Sequence, residues 1–190
     1  MRNKIKGIEL LELNESYKKV LNWFFSFPNK ATSLNELSDT LKISKSTSNR
    51  ILKKLEKEGL IKIEVIGRNW RISLNKNNEK LKGMKISYNI NLIYESGIIE
   101  EIKELFPNFI SIILFGSYRK GDDIEESDID IAVETLGKKD IEITEFSITN
   151  LDYRKNVKLN ILVFSRSHVN KNLFSNIVNG IVLEGFLEVD

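Results

Sequence analysis

Leu114-Phe115-Gly116-Ser117-Tyr118-Arg119-Lys120-Gly121, followed by Ser127-Asp128-Ile129-Asp130-Ile131, is the stretch whose reading decides the second half of this chain. Phe109 to Phe115 is β-branched and aromatic and reads as a buried strand. Gly116 lets the backbone turn and approach a ligand with no Cβ in the way. Ser117 adds a hydroxyl and a backbone N–H, and a helix starting here aims its first, unpaired N–H groups at an anion. Arg119 and Lys120 place positive charge nearby. Ten residues, Tyr118 to Ser127, separate Ser117 from Asp128. Ser127 to Val133 alternates as a strand, so Asp128 and Asp130 share one face while Ile129, Ile131 and Val133 take the other. Two neighbouring carboxylates repel unless a cation joins them. Mg²⁺ favours one or two carboxylates plus substrate phosphates, and two-metal phosphoryl-transfer sites use such an arrangement. Either half of the pattern alone is a common turn or a solvated acidic edge. Joined at this spacing they predict a site for a nucleoside triphosphate (NTP), with Gly116, Ser117, Arg119, Lys120 and Ser127 toward the nucleotide and Asp128 and Asp130 toward Mg²⁺.

The segment from Leu114 to Val133 resembles the minimal nucleotidyltransferase group of the DNA polymerase beta-like superfamily, whose members read Gly-Ser-x-x-Arg-Gly and then Ser-Asp-x-Asp. Here Lys120 stands where Arg is usual. The resemblance covers roughly residues 105 to 185. It implies an α+β fold with a mixed sheet, phosphates held by Gly116 and Ser117, and Mg²⁺ held by Asp128 and Asp130. It also implies a third acid on the next core strand, best assigned to Val157 to Phe164. That strand offers Lys158 and Asn160 on the face away from Val157, Leu159, Ile161 and Val163, and neither is an acid. Asn160 can lend a carbonyl oxygen to the metal but is a poor base. Asp152, Glu142 and Glu145 are the substitutes within reach in sequence. Arg154 to Gly185 resembles the C-terminal part of a subgroup with a winged helix fused ahead of this domain, including the phrase Asn172-Leu173-Phe174 and a final strand at 180–183.

The first half has different grammar. Ser16 to Phe27 carries apolar residues at helical spacing and ends before Pro28. Ser33 followed by Glu36 is a capping-box pattern, with Leu34, Leu37 and Leu41 on one face. Ser44 can cap a helix over Lys45 to Lys57, with Ile51, Leu52 and Leu55 buried and Gly59 just past its end. Strand-like runs at 60–66 and 70–74 flank a turn at Gly67-Arg68-Asn69. Helix, helix, turn, helix and hairpin is the winged helix-turn-helix order. Residues 17 to 75 resemble the small winged-helix domains of bacterial and archaeal transcription regulators. The exposed face of the third helix is expected to show Lys45, Ser46, Ser48, Asn49 and Lys53, residue types that reach base edges and phosphates in a major groove. Arg68 sits at the wing tip, within reach of a neighbouring phosphate or the minor groove.

Charge divides the same way. The net charge of +2 splits into +7 over residues 1–75 and −5 over residues 76–190, which suggests two modules with different partners. The 190 residues contain no Cys and one His, His168, which rules out a Cys-based zinc site and a disulfide framework and argues against a His-based metal cluster or a Ser-His-Asp triad. His168 reads as a surface residue near a helix start. No apolar run reaches membrane-spanning length and residues 1–6 lack a signal-type apolar core, so a cytoplasmic protein with no membrane partner is the expectation.

The fold expected is therefore two-domain α/β: a winged helix-turn-helix DNA-binding domain at 1–75, a linker and connecting helix at 76–105, and a nucleotidyltransferase domain at 106–190. Polar residues 76 to 83 read as linker and Met84 to Leu105 as helix, broken near Gly97. Two functions fit. One is Mg²⁺-dependent nucleotidyl transfer from an NTP to a hydroxyl on a protein, RNA or small molecule. Here the resemblance implies an antitoxin-like role with a toxin protein as acceptor. The other is a transcription regulator that binds nucleotide without turnover. A homodimer is the class expectation for such regulators.

Overall fold

The computed structural model describes residues 15–137 and 141–188. Residues 1–14, part of the expected first domain and including the 1–6 segment expected to lack a signal core, lie outside it, as do 138–140 and 189–190. The first half comprises α1 (Glu15–Ser26), α2 (Leu34–Leu41), α3 (Lys45–Lys57), β1 (Ile61–Ile66) and β2 (Asn69–Leu74). The caps form as the sequence predicts. Ser33 Oγ accepts from the Glu36 N–H at 3.2 Å, and Ser44 Oγ accepts from the Thr47 N–H at 3.1 Å. The Glu36 carboxylate accepts from the Thr32 hydroxyl at 3.0 Å and also interacts with the Ser33 backbone N–H, as a capping box requires. β1 and β2 pair antiparallel from Ile61↔Leu74 to Ile66↔Asn69, forming the wing. Val20, Phe24, Leu37, Ile51, Leu52, Leu55 and Ile72 fill one core between the helices and the wing.

The second half opens with α4 (Glu79–Glu95) and α5 (Ile98–Leu105). The break lies at Gly97, which takes the left-handed conformation, as the sequence predicts. The expected linker at 76–83 is too long, because helix α4 already starts at Glu79. Asn78 caps it by accepting from the Lys80 N–H, and Leu81 is buried against the winged-helix core. Five strands follow: β3 (Phe109–Phe115), β4 (Ile129–Thr135), β5 (Glu142–Leu151), β6 (Arg154–Phe164) and β7 (Ile181–Gly185). They form one mixed sheet in the order β5-β6-β4-β3-β7, in which β4 and β6 are parallel and the other neighbours antiparallel. Alternation divides its faces. Leu114, Ile129, Ile131, Leu159 and Ile161 pack with Ile93, Ile99 and Ile102 of α4 and α5. Ile113, Ala132, Leu162 and Phe164 pack with Ile177 of α7 (Lys171–Val178) on the other face. Each Ile fully buried this way contributes about 1.5–3 kcal/mol.

Helix α4 belongs to both halves. Its first turns pack on the winged helix through Leu81, Met84 and Tyr88, while Ile93 sits in the sheet core. The Tyr88 hydroxyl lies 2.9 Å from Ser26 Oγ on α1 and donates to Asp152 Oδ2 at 2.7 Å in the β5–β6 turn.

Candidate nucleotide site and nucleic-acid interface

The Gly-Ser turn is set by two backbone constraints. Gly116 has φ +70, and a Cβ there would overlap the Asp130 carboxylate, so the backbone can approach that acid only as glycine. Residues Gly116–Lys120 form a short helix, α6, directly after β3. It ends at Gly121 (φ +69), where a Cβ would meet the Lys82 carbonyl oxygen of α4 at 2.8 Å. Both glycines are therefore dictated by what lies against them.

Asp130 lies in β4, in register with Phe115 of β3 and with Asn160 of β6. Asp128 immediately precedes the strand, which begins at Ile129, two residues later than expected. Asn160 Nδ2 donates to Asp130 Oδ1 at 3.0 Å and is 3.5 Å from Asp128 Oδ2. One amide thus bridges both carboxylates. Burial pushes the Asp130 carboxyl above its ordinary value; the Asn160 hydrogen bond opposes this and the neighbouring Asp128 charge adds to it. Two acids held together, one of them half-desolvated, with a donor between them, are chemically suited to a divalent cation. Rotation of the Asn160 amide would turn its oxygen to such an ion.

Among the described residues no third acid or histidine joins this pair into a three-ligand cluster. The strand register sorts the three substitutes. Glu142 pairs with Val163, on the face that α4 and α5 cover and away from Asp130. Asp152 sits in the β5–β6 turn with φ 50 and accepts from Tyr88. Glu145 pairs with Asn160, and directly paired residues share a face. Glu145, Asn160 and Asp130 therefore stand in one row across three strands.

A cavity of about 220 Å³ opens between α6 and α7, lined by Phe115, Gly116, Arg119, Lys120, Asn176 and Asn179. It unites three of the expected nucleotide residues and adds two asparagines that sequence reading missed. Asn179 Nδ2 donates to the Ser175 carbonyl at 2.7 Å. Ser117 is half-buried in the first turn of α6. Ser127 is engaged within its own loop: its hydroxyl accepts from the Ile124 N–H at 2.9 Å. A larger cavity of about 440 Å³ lies at the seam between the winged helix and α4, walled by Phe25, Pro28, Leu74, Leu81 and Ile124, apart from the Asp pair.

On the winged helix, Lys45, Ser46, Asn49 and Lys53 line one open groove together with Leu34 and Arg50. Arg50 was missed although it lies at i+4 from Ser46. Ser48 is a correction: it is fully buried, and its oxygen accepts from Ser38 Oγ at 2.8 Å. Its hydroxyl joins α2 to α3 and is not on the exposed face. Arg68 is exposed in the turn of the wing. His168 is exposed, with Nδ1 2.8 Å from Ser167 Oγ.

Residues 95–182 match the nucleotidyltransferase domain family, and residues 29–62 match the winged helix-turn-helix DNA-binding family. The chain joins a winged helix-turn-helix domain to a nucleotidyltransferase domain. Among solved structures, it is similar to a Staphylococcus aureus MepR–DNA complex, at 17% identity over 52% of this chain and 75% of that one, with a TM-score of 0.38. It is also similar to MepR described as a transcription regulator of the S. aureus multidrug efflux pump MepA, at 15% identity over 50% of this chain and 81% of that one, with a TM-score of 0.32. Likeness at this level does not extend to function. No curated protein matches the chain.

Proposed function

We propose that the second half of the chain is a Mg²⁺-dependent nucleotidyltransferase and that the winged helix binds DNA. The observation that carries the first part is the Asp128–Asn160–Asp130 bridge, set against a glycine that admits no side chain. Asp128, Asp130 and the Asn160 amide oxygen would hold Mg²⁺. When bound, the ion neutralises phosphate charge and lowers the pKa of an attacking hydroxyl. Arg119 and Lys120, in the cavity beside Gly116, face the negative charge of the departing pyrophosphate.

In the transfer, an acceptor hydroxyl oxygen bonds to the α-phosphorus, and the bond from that phosphorus to the bridging oxygen breaks. The NMP-modified acceptor and pyrophosphate result, and the hydroxyl proton passes to a base. Glu145 is the acid that the register places on the face of Asp130. Glu145→Gln is expected to lower kcat about 10²-fold without weakening nucleotide binding. The acceptor class is a hydroxyl on protein, RNA or a small molecule; a toxin protein is the acceptor that the likeness to minimal nucleotidyltransferases suggests.

The test is incubation with Mg²⁺ and each labelled NTP, with and without candidate acceptors. Label transfer that disappears in Asp128→Ala/Asp130→Ala is expected. Binding of nucleotide with no transfer to any acceptor would favour a regulator that senses nucleotide.

A further inference from the structure

We propose that Arg154 is a positioning residue of the nucleotide site, holding the Gly-Ser helix and the Asp-x-Asp segment at a fixed separation. This role rests on the nucleotidyl-transfer reading above. Arg154 opens β6 and is 7% exposed. Its Nη2 donates to the Ser127 carbonyl at 2.6 Å, and its Nη1 donates to the Tyr118 hydroxyl. The guanidinium carbon lies 5.7 Å from the centre of the Tyr118 ring. Ser127 is the residue before Asp128, and Tyr118 stands between Ser117 and Arg119 in α6. The two arms of one fork therefore end on the metal-side segment and on the phosphate-side segment.

Burying a guanidinium is costly unless its donors are used, and Nε finds no hydrogen-bond partner among the described residues. Six residues further along the same strand, Asn160 bonds both carboxylates. β6 thus grips the Asp128 segment at two points, from Arg154 behind and Asn160 in front. The fold does not depend on the fork alone to keep this loop in place. Lys85 pairs with Asp123 at 3.2 Å, and Asn89 Nδ2 donates to both the Tyr118 carbonyl, at 3.0 Å, and Asp123 Oδ1, at 2.7 Å. Those contacts tie the loop to α4. The Arg154 fork ties its two motif-bearing ends to each other, which is the distance that a nucleotide spanning phosphate groups and metal must match.

Misplacing reacting groups by about 1 Å costs on the order of 10²-fold in rate, and Lys cannot reproduce a planar two-armed donor. The test compares wild type, Arg154→Lys and Tyr118→Phe as full-length chains. Tyr118→Phe keeps the buried ring and removes only the oxygen. Four quantities are read: the melting temperature, Mn²⁺ affinity alone by electron paramagnetic resonance, Mn·ATP affinity, and pyrophosphate release from ATP with water as the acceptor hydroxyl, which leaves AMP. Both variants are expected to stay folded and to bind Mn²⁺ alone like wild type. Mn·ATP binding should weaken about tenfold and pyrophosphate release should fall about 10²-fold in Arg154→Lys, with a smaller loss in Tyr118→Phe. Unchanged Mn·ATP binding and release in both variants would overturn the role. So would losses of Mn²⁺ and Mn·ATP binding in step with the unfolded fraction, because those mark a support of the fold. A wild type that neither binds Mn·ATP nor releases pyrophosphate overturns the nucleotidyl-transfer reading first, and this role with it.

Discussion

Asp130 carries much of the site's chemistry in one side chain. Burial raises its pKa above the ordinary carboxylate value of 3.8, so the folded chain holds that proton more tightly than the unfolded chain does. Its contribution to stability is therefore greatest below the ordinary value and is lost as pH rises through the raised one. A bound divalent cation reverses the balance, since it needs the ionised form. The rise in melting temperature on adding Mg²⁺ is expected to grow from about pH 4 to about pH 7 and to be flat in Asp130→Asn. A Mg²⁺ effect of equal size at both pH values would contradict this. At the scale of residues, Asp128, Asp130, Gly116 and Arg119 were legible because their spacing is local. Ser48 was misread because a helical wheel cannot show that a small hydroxyl meets Ser38 across two helices. Arg154 and Asn89 left no signal, since their partners lie 27 to 36 and 29 to 34 residues away in sequence.

Helix α3 was the most readable element. Its cap, its buried Ile51, Leu52 and Leu55, and its exposed lysines follow from period and from Ser44. Lys45, Arg50 and Lys53 border one groove with Ser46 and Asn49. Replacing Lys53 with Ala is expected to weaken DNA binding similarly on all sequences and to reduce the salt slope by about one. Replacing Asn49 should instead change the ranking of sequences. A Lys53→Ala chain whose salt slope matches wild type would remove Lys53 from the phosphate contacts. Two elements were hard to read. Strand β5 is an edge strand exposed on much of both sides, so its Glu, Thr, Ser and Asn dilute the alternation. The start of α4 is hidden by Lys-Asn-Asn-Glu-Lys, which is polar enough to pass for linker; only the Asn78 cap and the buried Leu81 betray it.

Across the whole molecule, the two halves meet at the loop that leads to Asp128. The Asn29 backbone N–H donates to Glu125 Oε1 at 2.7 Å, and its side-chain Nδ2 donates to Glu125 Oε2 at 2.8 Å. These groups are 96 residues apart in sequence, which is why no local pattern forecast the contact. Glu125 lies three residues before Asp128, so anything that shifts the Asp128 loop pulls on the segment between α1 and α2. Nucleotide with Mg²⁺ is therefore expected to change DNA affinity by about 5–150-fold, the usual range of coupling between sites. Glu125→Ala, which removes the acceptor of both bonds, should bring that ratio close to one while leaving each ligand's own binding in place. A Glu125→Ala chain that keeps the full ratio would show that the halves communicate elsewhere, through α4 and Tyr88.

All of this depends on whether Asp128, Asp130 and the Gly116 turn hold a nucleotide through a divalent cation. Titration calorimetry of ATP into the full-length chain, with Mg²⁺ and then with EDTA, measures that directly. Heat of binding is expected with Mg²⁺ and not with EDTA, and not in Asp128→Asn/Asp130→Asn under either condition. ATP binding of equal strength in EDTA, or in the double variant, would contradict the assignment of the site.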